Sequence, residues 1–465
     1  MFGMPNNRSE AADAGVTGRP GATGRGPRPE HRLWALLGPA FVAAVAYVDP
    51  GNVAANLTAG AEYGYLLVWV LVVSNAMAVL IQYLSAKLGL VTGRSLPELL
   101  GQRLRRGTRL TYWGQAEVVA AATDLAEVIG GAIALHLLFG LPLIWGGLIT
   151  GVVSMILLAV HSRRGQRPFE FVIMGFLAII AVGFLAGLFV SPVSWSEVAG
   201  GLVPRFGDAG TVLLAASMLG ATVMPHAIYL HSALARDRHL PGEPGVDNEV
   251  VAAEPRALPP GQGVGGANPV TAAAADPSWK DRLPRLLRAT KADVLWSLLI
   301  AGSVNIAMLL LAAASLRGVS GTDSIEGAHA AIEANLGPAI GVIFAVGLLA
   351  SGLAATSVGA YAGAVIMGGL LHRRIPLLTR RLITLIPALV IVGMGVDPTW
   401  ALVLSQVVLS LGIPFALIPL VRLTSSRAVM GEHASGLPVR VIGWVVVALI
   451  VALNLALIVI TITGG

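Results

Sequence analysis

Two short stretches carry groups that are out of place in the apolar sequence around them. The first is Asp49-Pro50-Gly51-Asn52, where a carboxylate and a carboxamide flank a proline and a glycine inside an apolar run from Trp34 to about Tyr65. The second is Ala221-Thr222-Val223-Met224-Pro225-His226, where a thioether and an imidazole flank another proline. Proline has no N–H to offer the carbonyl four residues back, so Pro50 frees the carbonyl of Ala46 and Pro225 that of Ala221. Brought face to face, the Asp49 carboxylate, the Asn52 carboxamide, the Ala221 carbonyl and the Met224 thioether make a donor set for a cation, with one negative charge. Three hard oxygens and one soft sulfur suit a divalent first-row ion such as Mn²⁺ or Fe²⁺ better than Mg²⁺ or Ca²⁺, which prefer all-oxygen shells.

The elements that must position these groups are membrane helices. A chain of 465 residues that is 55% hydrophobic and 12% charged, with mean hydropathy +0.77, is too apolar for a soluble protein and has room for about eleven spans. The pattern predicts them near 34–60, 66–89, 112–139, 142–160, 169–190, 211–234, 292–316, 339–371, 382–396, 399–421 and 440–462. Residues 1–32, rich in Gly, Pro and Arg, read as a disordered tail without the apolar core of a leader, and 33–465 as the membrane domain. The stretch 237–290, dense in Pro, Gly and Ala in its middle, reads as a flexible linker. With no cysteine, the chain has neither disulfides nor thiolate ligands.

The net charge of +6 invites a nucleic-acid reading, but its placement argues against one. With the N-terminus inside, Arg205 and Arg317 alone of the 31 Lys and Arg residues fall outside, the asymmetry of topological anchors. An odd number of spans then puts the C-terminus outside. Plasma-membrane lipid is the expected surrounding, and no obligate protein partner is expected. The two breaks lie in the first and sixth helices, five apart, and so run antiparallel. That is the arrangement of a five-plus-five inverted repeat, here 34–190 and 211–421 with an added eleventh helix, whose site lies where the breaks meet near the midplane.

Polar residues elsewhere in the spans are weighed against simpler readings. Glu117, Asp124 and Glu127 share the third helix, and Arg380 and Arg381 at the start of the ninth are their expected partners, either as a structural ion pair or as a proton relay. His226 and His231 stand about 140° apart around the helix, too far for a same-face metal pair, and suit hydrogen-bonded packing or proton movement. Gln406 can be interhelical glue, and the spacing of Gly359 and Gly363 fits close helix packing. Proline kinks and buried methionines are common as packing features; Asp49 beside Pro50 and Met224 beside Pro225 raise them to candidates.

At these residues the sequence closely resembles the Nramp family of proton-coupled divalent metal transporters. The resemblance rests on Asp49-Pro50-Gly51-Asn52, Met224-Pro225-His226 and Tyr229-Leu230-His231-Ser232, and extends over nearly all of 34–421. It implies the LeuT-type fold, Mn²⁺ or Fe²⁺ uptake coupled to protons, no enzymatic activity and no resident cofactor. It also implies Asp49, Asn52, Ala221 and Met224 as metal ligands, joined in some conformations by Gln406, and a proton exit route along Asp124 and Glu127. The chain departs from the family pattern at Ala227, where Asn is frequent, and at Gly363-Ala364, where a Gly-Gln pair is expected. Of the rivals, a sodium-coupled amino-acid carrier of the same architecture is disfavoured by an anionic Asp49, and an intramembrane metalloprotease by the absence of a His-Glu-x-x-His pattern. A metal channel has to be separated by transport against a gradient.

Overall fold

A helix that runs into proline must stop or bend, and the first expected helix stops. Helix α1 (Pro39–Ala46) ends before the tetrapeptide and α2 (Pro50–Tyr63) begins inside it. The computed structural model describes residues 38–164, 166–239, 277–322, 324–372 and 377–463, and among them all regular structure is helical. After α2 come α3 (Val68–Thr92), α4 (Leu96–Arg103), α5 (Arg106–Phe139), α6 (Leu143–Arg164), α7 (Gln166–Val190) and α8 (Trp195–Gly201). The sixth expected helix is likewise two pieces, α9 (Ala209–Thr222) and α10 (Pro225–His239). The rest are α11 (Pro277–Ser315), α12 (Ile325–Leu336), α13 (Pro338–Leu371), α14 (Leu377–Gly393), α15 (Pro398–Thr424), α16 (Arg427–Met430) and α17 (Leu437–Thr463).

Counting α9 with α10, eight of these units are long and apolar enough to cross a membrane. The α1–α2 pair, α14 and α6, whose apolar part is Leu143–Leu157, make up the eleven expected spans. The chain is an all-α polytopic membrane protein of the five-plus-five type, with α17 the added helix. Its two broken helices run in opposite directions: α1 packs on α10, and α2 packs on α9. Each half-helix thus meets the far half of its counterpart, which brings the two breaks together. The most extensive helix contact is between α5 and α13, which carries Gly352, Gly359 and Gly363 on the side facing α5 and α14. Large apolar side chains turned outward, such as Phe171, Phe189 and Ile462, suit a lipid surround.

Several boundaries differ from those read in the sequence. Residues 277–290, expected within the linker, form the first turns of α11, even though the helix contains Pro284. Residues 237–239, also expected within the linker, end α10, and the tail 1–32 and linker residues 240–276 lie outside the described residues. Short helices α4, α8 and α12 were not anticipated, because each is too brief for a hydrophobic period to register. For α4 a local signal existed: Ser95 and Glu98 form a capping box, with Glu98 accepting the Ser95 N–H at 2.9 Å.

Candidate functional site

The Asp49 side chain holds the N-terminus of α2. With extended backbone (φ −69°, ψ 166°) it is the N-cap, followed by Pro50, and its Oδ1 accepts the Asn52 N–H at 2.7 Å. Asp before Pro, with Asn three residues on, is a helix-start signature that the sequence displays, so the break and the cap are one feature. The Asn52 amide then turns its Nδ2 toward two oxygens, Asp49 Oδ1 at 3.1 Å and the Ala221 carbonyl at 2.9 Å. That carbonyl lies in the last turn of α9, where Pro225 supplies no N–H to it. The two breaks therefore meet through one carboxamide.

Gln406 reaches the same place from α15. Its Nε2 donates to Asp49 Oδ2 at 3.3 Å and to Ser405 Oγ at 3.2 Å. It can lie there because residue 51 is glycine: a Cβ at Gly51 would overlap the Gln406 side chain. Asp49, Asn52, Ala221, Met224 and Gln406 are all 0% exposed, so the site is closed to solvent. With both amide nitrogens turned to the carboxylate and the carbonyl, Asn52 Oδ1 and Gln406 Oε1 remain buried without a hydrogen-bond partner among the described residues. Unpaired acceptors in an interior cost about 1–3 kcal/mol each, and they mark where a positive group would be welcome. Met224, expected from the sequence as the soft donor, lies between α9 and α10 three residues after Ala221 and is fully buried.

A second polar system begins on α5. Arg381, whose side chain is wholly buried, donates to Asp124 Oδ1 at 2.5 Å, lies 3.7 Å from Glu127 Oε2, and donates to Ser154 Oγ at 3.2 Å. Arg380 pairs with Glu117 at 2.9 Å. Adjacent residues on a helix point about 100° apart, so the two arginines serve different acids. The reading of Gly359 and Gly363 as close helix packing alone is corrected here. A Cβ at Gly363 would overlap the Arg380 guanidinium, and one at Gly359 would crowd Glu127 Oε1. These glycines make room for the charged groups.

The two histidines part company. Thr123 Oγ1 donates to the Val119 carbonyl at 3.0 Å and so accepts from His226 Nδ1 at 3.4 Å, which links the second break to α5 one residue before Asp124. His231 Nδ1 donates instead to Gln82 Oε1 at 2.8 Å, and Gln82 Nε2 donates to the Tyr47 hydroxyl at the end of α1. His231 Nε2 is then a buried bare acceptor with no partner among the described residues. Thr123, Gln82 and Tyr47 were not singled out in the sequence; their signal is only that of polar groups within apolar spans.

The model of the family described as natural resistance-associated macrophage protein-like, Nramp, matches residues 40–460. A relative from Mycobacterium tuberculosis (strain ATCC 25618 / H37Rv), named divalent metal cation transporter MntH, is 57% identical over 431 residues, covering 93% of this chain and 92% of its own. The crystal structure of the Eremococcus coleocola manganese transporter, in complex with an aromatic bis-isothiourea substituted compound, superposes with a TM-score of 0.76 at 31% identity, covering 91% of this chain and 86% of that one. MhsT in complex with L-phenylalanine shares the fold at a TM-score of 0.54 and 12% identity, covering 89% of this chain and 98% of that one. With a family match over almost the whole membrane domain and the paired broken helices that carry its motifs, this chain belongs to the Nramp family.

Proposed function

We propose that the protein is a secondary transporter that carries divalent transition-metal ions, Mn²⁺ and also Fe²⁺, inward across the plasma membrane in symport with protons. The observation that carries this reading is the buried polar cluster at the two breaks. One carboxylate, two carboxamides and a helix-end carbonyl converge there, with two acceptor oxygens unsatisfied. The Asn52 and Gln406 NH₂ groups hold the position a cation would take against Asp49 and Ala221. Turning each amide about its last torsion exchanges nitrogen for the idle oxygen, giving a shell of Asp49, Asn52, Ala221 and Gln406 oxygens with Met224 as the soft donor. The names of the relatives, a divalent metal cation transporter and a manganese transporter, support the same substrate class. MhsT shows why the fold alone does not choose: its likeness is to a protein bound to an amino acid, so the choice rests on Asp49 and Met224.

Proton movement follows the α5 system. A proton displaced from Asp49 or from a histidine as metal binds passes by His226 and Thr123 to Glu127 and Asp124, and out past Arg381, Arg380 and Glu117. His231 serves as a separate acceptor on the α1 side. The N-terminus lies inside and the C-terminus outside, and an inside-negative membrane potential favours uptake of a divalent ion by about 4.6 kcal/mol at 100 mV. The test is Mn²⁺ uptake into proteoliposomes. Accumulation beyond electrochemical equilibrium, driven by an inward proton gradient, supports symport; uptake that stops at equilibrium means a channel. Calorimetric binding of Mn²⁺ compared with Mg²⁺ checks the substrate class.

A further inference from the structure

A helix interrupted by proline loses the backbone bonds that would fix the angle between its halves, so something else has to set the geometry of the first break. Two carbonyls there are already taken. The Tyr47 carbonyl, at the C-cap of α1, accepts from Asn305 Nδ2 at 2.7 Å, and the Val48 carbonyl accepts from Ser351 Oγ at 2.5 Å. Asn305 also uses its other end: its Oδ1 accepts from Asn56 Nδ2 at 3.1 Å. Asn56 stands one turn beyond Asn52 on the same face of α2. A single carboxamide on α11 therefore grips the C-cap residue of one half-helix and the second turn of the other, with Asp49 and Asn52 between its two contacts.

The grip is buried, with Asn56 at 0% and Asn305 at 2% exposure, so neither amide can exchange its partner for water. It is also backed by a rigid element. About 18 Å earlier along α11, at about 1.5 Å per residue, Asp293 accepts the N–H groups of Gly38 at 3.2 Å and Ala40 at 3.0 Å at the start of α1. Beyond Asn305, Gly60 of α2 lies against the α11 backbone, where a Cβ would come within 2.5 Å of the Leu309 carbonyl oxygen. The contacts follow the same order along both chains, so the unbroken α11 runs parallel to the broken helix and supports it at three levels.

We infer that Asn305 is a positioning residue for the cation site: by fixing α1 relative to α2 it sets where Asp49 and Asn52 stand, without contacting the ion itself. This rests on Asp49 as the anionic ligand. Ser351 holds only the α1 side, whereas Asn305 alone of these two spans the break.

The test measures Mn²⁺ affinity calorimetrically and thermal stability in parallel on the full-length protein in detergent. Asn305→Ala should bind Mn²⁺ about tenfold more weakly, the scale of one or two lost buried hydrogen bonds expressed in binding. Asn56→Ala, which removes only the α2 contact, should fall between it and wild type, and the double variant should be no weaker than Asn305→Ala alone. Thr399→Ala is the comparison: it removes an equally buried bond to the Ile325 N–H, 3.0 Å, about 10 Å along α15 from Gln406. It should lower stability with affinity unchanged. Wild-type affinity in Asn305→Ala and Asn56→Ala, or an equal loss in Thr399→Ala, would overturn the positioning role. Asp49→Asn run beside them separates the two readings: retained binding there sinks the cation site and this inference with it, whereas lost binding there with unchanged Asn305→Ala sinks the positioning role only.

Discussion

Replacing Asp49 by asparagine separates charge from architecture. Asparagine is as good an N-cap as aspartate, and its Oδ1 can still accept the Asn52 N–H now held at 2.7 Å. Its new Nδ2 would meet Gln406 Nε2, at 3.3 Å from the present Oδ2, donor against donor. A turn of the Gln406 amide relieves this by presenting Oε1, which is otherwise unpaired. The fold should therefore be retained, with stability within about 1 kcal/mol of wild type. Metal binding should not be: the variant lacks the only anion in the donor set. Removing one partner of a buried charge pair costs about 2–5 kcal/mol, so Mn²⁺ affinity should fall by roughly thirtyfold to several thousandfold. Asp49→Ala should bind as poorly and also lose about 1 kcal/mol of stability with the cap. Calorimetry with Mn²⁺, thermal unfolding and proteoliposome uptake give the three readouts. Mn²⁺ binding and uptake near the wild-type level in Asp49→Asn would refute the assignment.

Met224→Ala removes the soft donor and lets water complete an all-oxygen shell. Mn²⁺ offered alone should still be carried, Cd²⁺ uptake should fall disproportionately, and excess Ca²⁺ should now inhibit; equal Ca²⁺ insensitivity in wild type and variant would return Met224 to packing. Glu127→Gln leaves Arg381 paired with Asp124, and Glu127 shares no hydrogen bond with Asp49, Asn52 or Gln406 among the described residues, so metal affinity should stay within about threefold while the pH and voltage dependence of uptake weakens. A large affinity loss with coupling intact contradicts this. Gly51→Ala puts a methyl group where the Gln406 side chain lies, which should cost about 1–3 kcal/mol of stability and displace Gln406 from Asp49. Unchanged Mn²⁺ affinity in that variant would show that Gln406 contributes nothing in the closed site.

The site was legible in part because its motifs are local. Asp49-Pro50-Gly51-Asn52 is at once a helix stop, a cap and the pair of groups proposed as ligands, all within four residues. The ion pairs of α5 with α14 were legible as a set, since buried acids need buried cations. Their pairing was not, nor was the role of Gly359 and Gly363, which depends on α13 lying against both helices. The helical stretch 277–290 was hidden by proline-rich sequence around it, and the parting of His226 from His231 was hidden because Thr123 and Gln82 lie on other helices.

What the sequence determined by itself is what hydropathy, proline and charge placement decide over short range. These are a membrane chain of eleven spans, two breaks five helices apart and hence antiparallel, and a carboxylate at the first of them. Only the tertiary structure showed how distant groups reach the breaks; Gln406 was named from the sequence through the family resemblance alone, and Asn305 was not named at all. Gln406 sits in an apolar helix remote from both breaks in sequence and reaches Asp49 across a glycine. Asn305, another isolated polar residue, spans the first break from α11. No local pattern marks either one, because each acts through helix packing, and packing joins residues by shape across the bundle without regard to their separation along the chain.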